Sequence, residues 1–138
     1  MKFKYEITEL IPQREPFVLV DRLVSFEPDM VTTEFVVKHG HVLVNDGRLI
    51  EAGLAENMAQ TAAAGAGYEL LKNGGVVKLG FIGAISKLKI FSLPKIGSTL
   101  KTTVAIEHKI MNVTVVSCKV ENNGETVAEC GMKIFLID

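Results

Sequence analysis

Glu56 is an acid in a run of alanine and glycine; if the stretch around it is helical, Ala52, Ala59, Gln60 and Ala63 share its face. A charge among small apolar groups is costly to bury unless paired. An acid held there would favour its neutral form and could give or take a proton near neutrality. Two plainer readings stand beside this one: a glutamate on a solvent strip, or a buried one satisfied by a neighbour such as Gln60. Upstream, the segment from His39 to Arg48 is rich in turn formers and delivers the chain to this stretch. Loops carried by rigid scaffolds commonly hold functional groups.

The elements that must position Glu56 can be read from periodicity. Between Glu51 and Tyr68 there is no proline, and Leu54, Met58, Thr61, Ala62 and Gly65 recur at helical steps. The pattern predicts a helix from Glu51 to Lys72, closed by Asn73-Gly74-Gly75. Alanines spread around every face, so the helix is expected to be buried rather than to lie on the surface with one apolar stripe. Glycine costs a helix roughly 0.5–1 kcal/mol relative to alanine. Gly53, Gly65 and Gly67 therefore predict close approach by another backbone.

Around that helix the chain reads as strands. Phe17 to Phe26 and Met30 to Lys38 form a predicted hairpin across Glu27-Pro28-Asp29. Val76 to Phe91, Leu100 to Lys109, Val113 to Val120 and Thr126 to Leu136 follow, with a proline–glycine loop at Ser92 to Ser98 and an Asn-Gly hairpin turn at Asn123-Gly124. One long helix and sequential strands predict an α+β domain, its curved antiparallel sheet wrapping the central helix.

With 138 residues, 48% hydrophobic and 22% charged, the chain suits one globular domain over 1–138. A net charge of −1 without charge runs argues against a nucleic-acid surface. No apolar stretch approaches the ~20 residues of a membrane helix, and the first ten residues lack an apolar signal core, so the expectation is a soluble, cytoplasmic protein with no membrane partner. Cys118 and Cys130 are expected to be small core residues rather than a metal site or disulfide framework.

Three segments together resemble the hot-dog-fold 3-hydroxyacyl-[acyl-carrier-protein] dehydratases. Ile11 to Leu23, IPQREPFVLVDRL, is similar to that family's strand entry; Glu56 to Gln60, ENMAQ, resembles its helix motif; and Phe81 to Gly97, FIGAISKLKIFSLPKIG, resembles its strand with a Pro-x-x-Gly turn. The family's catalytic groups are the helix glutamate and a histidine in a Gly-His-Phe-Pro loop. Glu56 matches the first, and His41 matches the second in its Gly40-His41 pair, at close to the family's spacing. The phenylalanine and proline are absent, as is the family's Met-Pro-Gly at the helix entry, where this chain has Asp46 to Gly53 instead. These departures are similar to those of divergent members found with polyene pigment synthesis.

The resemblance implies a hot-dog domain that dehydrates a 3-hydroxyacyl thioester. His41 would be the base, Glu56 the acid, and the helix amino terminus at Ala52 and Gly53, with Gln60, would bind substrate. The alternative for His41 is a loop histidine that caps or packs, while His108 is expected to be structural. No metal or cofactor is implied. The implied partner is an acyl carrier protein bearing a phosphopantetheine thioester, for which Arg14, Arg48, Lys87, Lys89 and Lys95 are the available docking cations, although such surface cations are more often merely solubilising. In such enzymes the histidine and glutamate of one site come from opposite subunits, which implies a homodimer or an oligomer of dimers. A thioesterase using the helix carboxylate, or a non-catalytic partner subunit, are the competing readings.

Overall fold

In a computed structural model, which describes residues 3–76 and 80–136, a six-stranded antiparallel sheet packs against one long helix. A short helix α1 spans Ile7–Leu10, and a hairpin pairs β1 (Arg22–Glu27) with β2 (Met30–Val36). A two-residue ladder then joins β3 (Val44–Asn45) to β4 (Arg48–Leu49) over Asp46-Gly47, both of positive φ. The central helix α2 follows, and then β5 (Gly80–Ile90), β6 (Thr99–Ile110), β7 (Val113–Asn122) and β8 (Glu125–Leu136). The order across the sheet is β1-β2-β6-β7-β8-β5, so β1 and β5 are its edges.

Helix α2 runs Glu51–Lys72, the range its alanine content and glycine stop predict. Leu54 and Met58 are completely buried against the core that β6, β7 and β8 supply through Leu100, Val120 and Met132. On the helix's other side lie Leu10, Ile11, Leu19 and Val20, also buried. The glycines explain this tight fit. A Cβ on Gly67 would strike the carbonyl oxygen of Leu10, whereas at Gly65 and Gly53 it would meet the side chains of Val31 and Leu49. Backbone approach thus holds for Gly67, and side-chain approach for the other two.

Helix α1 has no counterpart in the sequence reading, and the structure departs from that reading in three further places. Phe17 lies in a bend closed by its N–H on the Arg14 carbonyl, and ladder pairing of the first strand begins only at Arg22. The segment His39 to Arg48, expected to be a loop, holds β3 and the first residue of β4. Strand β5 starts at Gly80; residues 77–79 of the predicted Val76–Phe91 strand lie outside the described residues, as do residues 1–2 and 137–138 of the 1–138 domain. Two register shifts interrupt β5, and at the second Lys87 takes a φ of 52°. Among the described residues, no helix is long and apolar enough to cross a membrane.

Candidate active site

Because Phe17 to Leu19 lies outside the sheet ladder, its backbone groups need other partners. The buried face of α2 supplies most of them. Gln60 Nε2 donates to the Phe17 carbonyl at 2.8 Å, and Gln60 Oε1 accepts the Leu19 N–H at 2.8 Å. Asn57 Nδ2 donates to the Leu19 carbonyl at 2.7 Å, and Asn57 Oδ1 accepts from the Thr102 hydroxyl of β6. Asn57, Gln60 and Thr102 have no exposed surface, so the bonds to Leu19 and between Asn57 and Thr102 form away from water, where an unmade one costs most, while the bond to the Phe17 carbonyl is partly buried.

The remaining carbonyl, that of Val18, goes to His41, whose Nε2 lies 3.0 Å away. Its Nδ1 accepts the Leu43 N–H at 3.0 Å. A carbonyl oxygen can only accept and an amide N–H can only donate, which assigns the ring as the Nε2–H tautomer with its lone pair on Nδ1. Phe35, buried in the core, meets the ring edge-on with centroids 5.9 Å apart. The turn that aims His41 at this site contains Gly40, whose φ of 86° favours glycine.

Glu56 is half-buried, and its Oε1 accepts the second Nε2 hydrogen of Gln60 at 3.2 Å. It lines a cavity of about 300 Å³ between α2 and the sheet. Ala59, Ala63 and Ala66 continue the helix wall beyond it, and Ile106, Val116 and Ile134 face them from β6, β7 and β8. The other charged lining groups, Glu27, Glu69 and Lys109, belong to the opposite end, at the carboxyl terminus of the helix. His41 is not among the residues that line this cavity.

At the amino end of α2 the N-cap residue Ile50 offers no side-chain cap. The Gly53 N–H donates to the Ile50 carbonyl at 2.9 Å, and Gly53 is buried. Ala52 is exposed, and among the described residues its N–H has no hydrogen-bond partner. Of the two amides named from sequence, Ala52 therefore remains free to bind an oxygen. Gln60 is fully engaged by Phe17, Leu19 and Glu56.

The five candidate cations do not converge. Arg48 and Lys95 pair across a β-bridge, and Arg48 also donates to the Leu93 carbonyl at 2.6 Å. Lys87 and Lys89 lie on edge strand β5, with Lys89 opposite Glu129. Arg14 is turned onto the carbonyls of Ile11 and Gln13. Asn57 and Thr102 went unremarked in the sequence, although an asparagine on a helix predicted to be buried all round was a usable signal.

A long helix enclosed by a six-stranded antiparallel sheet of this order is the hot-dog fold. The same fold is seen in a chain of the dehydratase heterocomplex ApeI:P from Xenorhabdus doucetiae, at a TM-score of 0.91 and 15% identity over 99% of this chain and 93% of that one. A hypothetical thioesterase with coenzyme A from Streptococcus pneumoniae shares it at a TM-score of 0.66 and 14% identity, covering 84% of each chain. The sequence is 32% identical over 145 residues to the 3-hydroxyacyl-[acyl-carrier-protein] dehydratase FabZ of Rickettsia bellii, spanning 96% of this chain and 94% of the relative. The profile of the ApeP-like family, described as ApeP dehydratase, matches residues 5–138. The chain belongs to the ApeP-like dehydratase family.

Proposed function

We propose that this protein, acting as one hot-dog domain in the cytoplasm, removes water from a 3-hydroxyacyl thioester on acyl carrier protein to give the trans-2-enoyl thioester. The observation that carries this reading is the position of Glu56: a single carboxyl at one end of a cavity whose adjoining walls are alanine on the helix side and isoleucine and valine on the sheet side. That geometry suits an acyl chain lying along the cavity with its reacting carbons at the acid.

The step requires a base for the C2 proton and an acid for the departing hydroxyl. His41 takes the C2 proton at Nδ1, where its lone pair lies, and the Leu43 N–H must give way as substrate enters. The C2–H electron pair becomes the C2–C3 double bond while the C3–O bond breaks. Glu56 delivers its proton to that oxygen, which leaves as water. The Ala52 amide and the positive end of the helix stabilise negative charge on the thioester oxygen.

Within one protomer His41 lies away from the cavity that holds Glu56, which supports a homodimer in which a second subunit completes each site. Edge strand β5 offers unpaired backbone together with exposed Ile85 and Leu88 for such an interface. Arg48 and Lys95, beside exposed Ile96, are the favoured landing for an acidic carrier protein.

Incubation of the purified protein with 3-hydroxyacyl and acyl thioesters of carrier protein tests the proposal. Enoyl product without thiol release is expected. Thiol release from the acyl thioester would make the protein a thioesterase. Absence of any turnover alone, with turnover restored by a second dehydratase subunit, would make it a partner subunit, a reading favoured by the engagement of both His41 nitrogens.

A further inference from the structure

We infer that Gln60 is a positioning residue that joins His41 to Glu56 through the single peptide unit between Val18 and Leu19. This rests on the proposed roles of those two groups but adds a connection that those roles do not require.

A peptide unit is rigid and planar, with its C=O and N–H pointing in opposite directions. The carbonyl of the unit linking Val18 to Leu19 receives His41 Nε2–H at 3.0 Å, and its N–H is received by Gln60 Oε1 at 2.8 Å. Gln60 Nε2 then donates to Glu56 Oε1 at 3.2 Å. The bonds run in one direction from imidazole to carboxyl, so each polarises the next; the Leu19–Gln60 bond at the centre is buried and the two end bonds are partly so. The amide orientation of Gln60 is fixed: Leu19 N–H can only donate to Oε1, and the Phe17 carbonyl can only accept from Nε2.

Packing alone does not account for Gln60. It has no exposed surface on a helix that buries Leu54, Met58, Ala62 and Ala64 and, among polar residues, Asn57 and Thr61 as well. A methionine would fill similar volume without the cost of desolvating a carboxamide. The peptide units on either side are held as well, the Phe17 carbonyl by Gln60 and the Leu19 carbonyl by Asn57, which Thr102 holds in turn, and these anchors restrain the unit between them. His41 is consequently held at an angle set by the helix that carries Glu56, although one lies on a loop and the other on α2.

The test compares the full-length protein with Gln60→Met. Side-chain ¹⁵N spectra are expected to show one Nε2–H tautomer of His41 in the parent and a mixture in the variant. Turnover of a 3-hydroxyacyl thioester should fall about a hundredfold, the scale of a small misplacement of a reacting group, with KM changed by less than about threefold. A folded variant with an unaltered His41 spectrum would overturn the inference, as would turnover within threefold of the parent. If Gln60→Met does not fold, Gln60→Glu serves instead. It keeps the oxygen for Leu19 N–H but sets a second carboxyl against Glu56, and two such groups share a proton. The alkaline limb of its kcat/KM profile should then move to higher pH; an unmoved limb would overturn the inference. Should the parent turn over no 3-hydroxyacyl thioester, the proposed function fails, while the tautomer comparison still decides the role of Gln60.

Discussion

The α-carbon of Gly67 packs directly on the carbonyl oxygen of Leu10, leaving no room for a Cβ. This contact lets the amino-terminal stretch lie flat along α2, and Phe17 to Leu19 reach Gln60 and Asn57 further along the same face. Gly67→Ala should gain up to about 1 kcal/mol of helix propensity. The obstacle is backbone, which no rotamer change relieves, and overpacking of this kind costs about 1–3 kcal/mol. Net destabilisation is expected, read as a lower denaturant midpoint; a midpoint equal to or above the parent's would show that the stretch can move aside.

Glu56→Gln removes the titrating proton but keeps the shape and a hydrogen-bonding group toward Gln60. Loss of a general acid or base typically costs 10²–10⁴ in rate, about 3–5 kcal/mol. Dehydration should fall by that factor with fold and oligomeric state intact, and His41→Ala should match it. His39, two residues away and exposed, has no such place, and His39→Ala should alter the rate less than about tenfold. Near-parental turnover by Glu56→Gln would end the proposed mechanism.

Helix α2 was legible because alanine content, absence of proline and the Asn73-Gly74-Gly75 stop all agree on its limits. The β7–β8 hairpin was legible for a similar reason: Asn123 and Gly124 both take positive φ, as Asn-Gly turns do. Phe17 to Asp21 was misread because an apolar extended run looks the same whether its backbone pairs with a strand or with buried side chains. Helix α1 has four residues, too few to show a period, and is steadied by a bond from the Glu6 N–H to the Glu9 carboxylate at 2.9 Å.

The candidate site divides along the same line. Glu56 stood out as an acid among alanines, and a carboxyl on a cavity wall is where the structure puts it. Asn57 carries no such signal in the motif, because its worth depends on Leu19 and Thr102, each far from it in sequence. The five cations were visible as residue types, but spacing along the chain carries no information on whether Lys89 and Arg48 share a rim.

Cys118 and Cys130 face each other across β7 and β8, both buried, with Cys130 Sγ 3.7 Å from Met58 Sδ. The hydrogen bond with Cys130, and then burial, hold the Cys118 thiol well above its ordinary value. The thiolate is the reactive form, so raising pH toward 9 should not speed its alkylation while the chain is folded. Mass spectrometry after iodoacetamide should find Cys118 unlabelled in the native protein and modified in denaturant. Native labelling at the denatured rate would contradict the burial described here.

The cavity makes a prediction about chain length that does not depend on which residue is the base. Ala59, Ala63 and Ala66 form one strip of helix wall leading away from Glu56, and only their small size keeps the space beside them open. Ala63 lies about 10 Å along the helix axis from Glu56 at ~1.5 Å per residue, well past the carbons that react. Ala63→Phe should therefore leave a short 3-hydroxyacyl thioester turning over within about threefold of the parent, because nothing near the acid has moved. A longer chain would lose the burial of its distal methylenes, worth about 0.8 kcal/mol each. Denying four of them costs about 3 kcal/mol, roughly 200-fold in kcat/KM. Measuring kcat/KM across a series of acyl lengths checks this. A uniform loss at every length would mean that the substitution disturbs the acid itself, and no loss at any length would place the acyl chain outside this cavity.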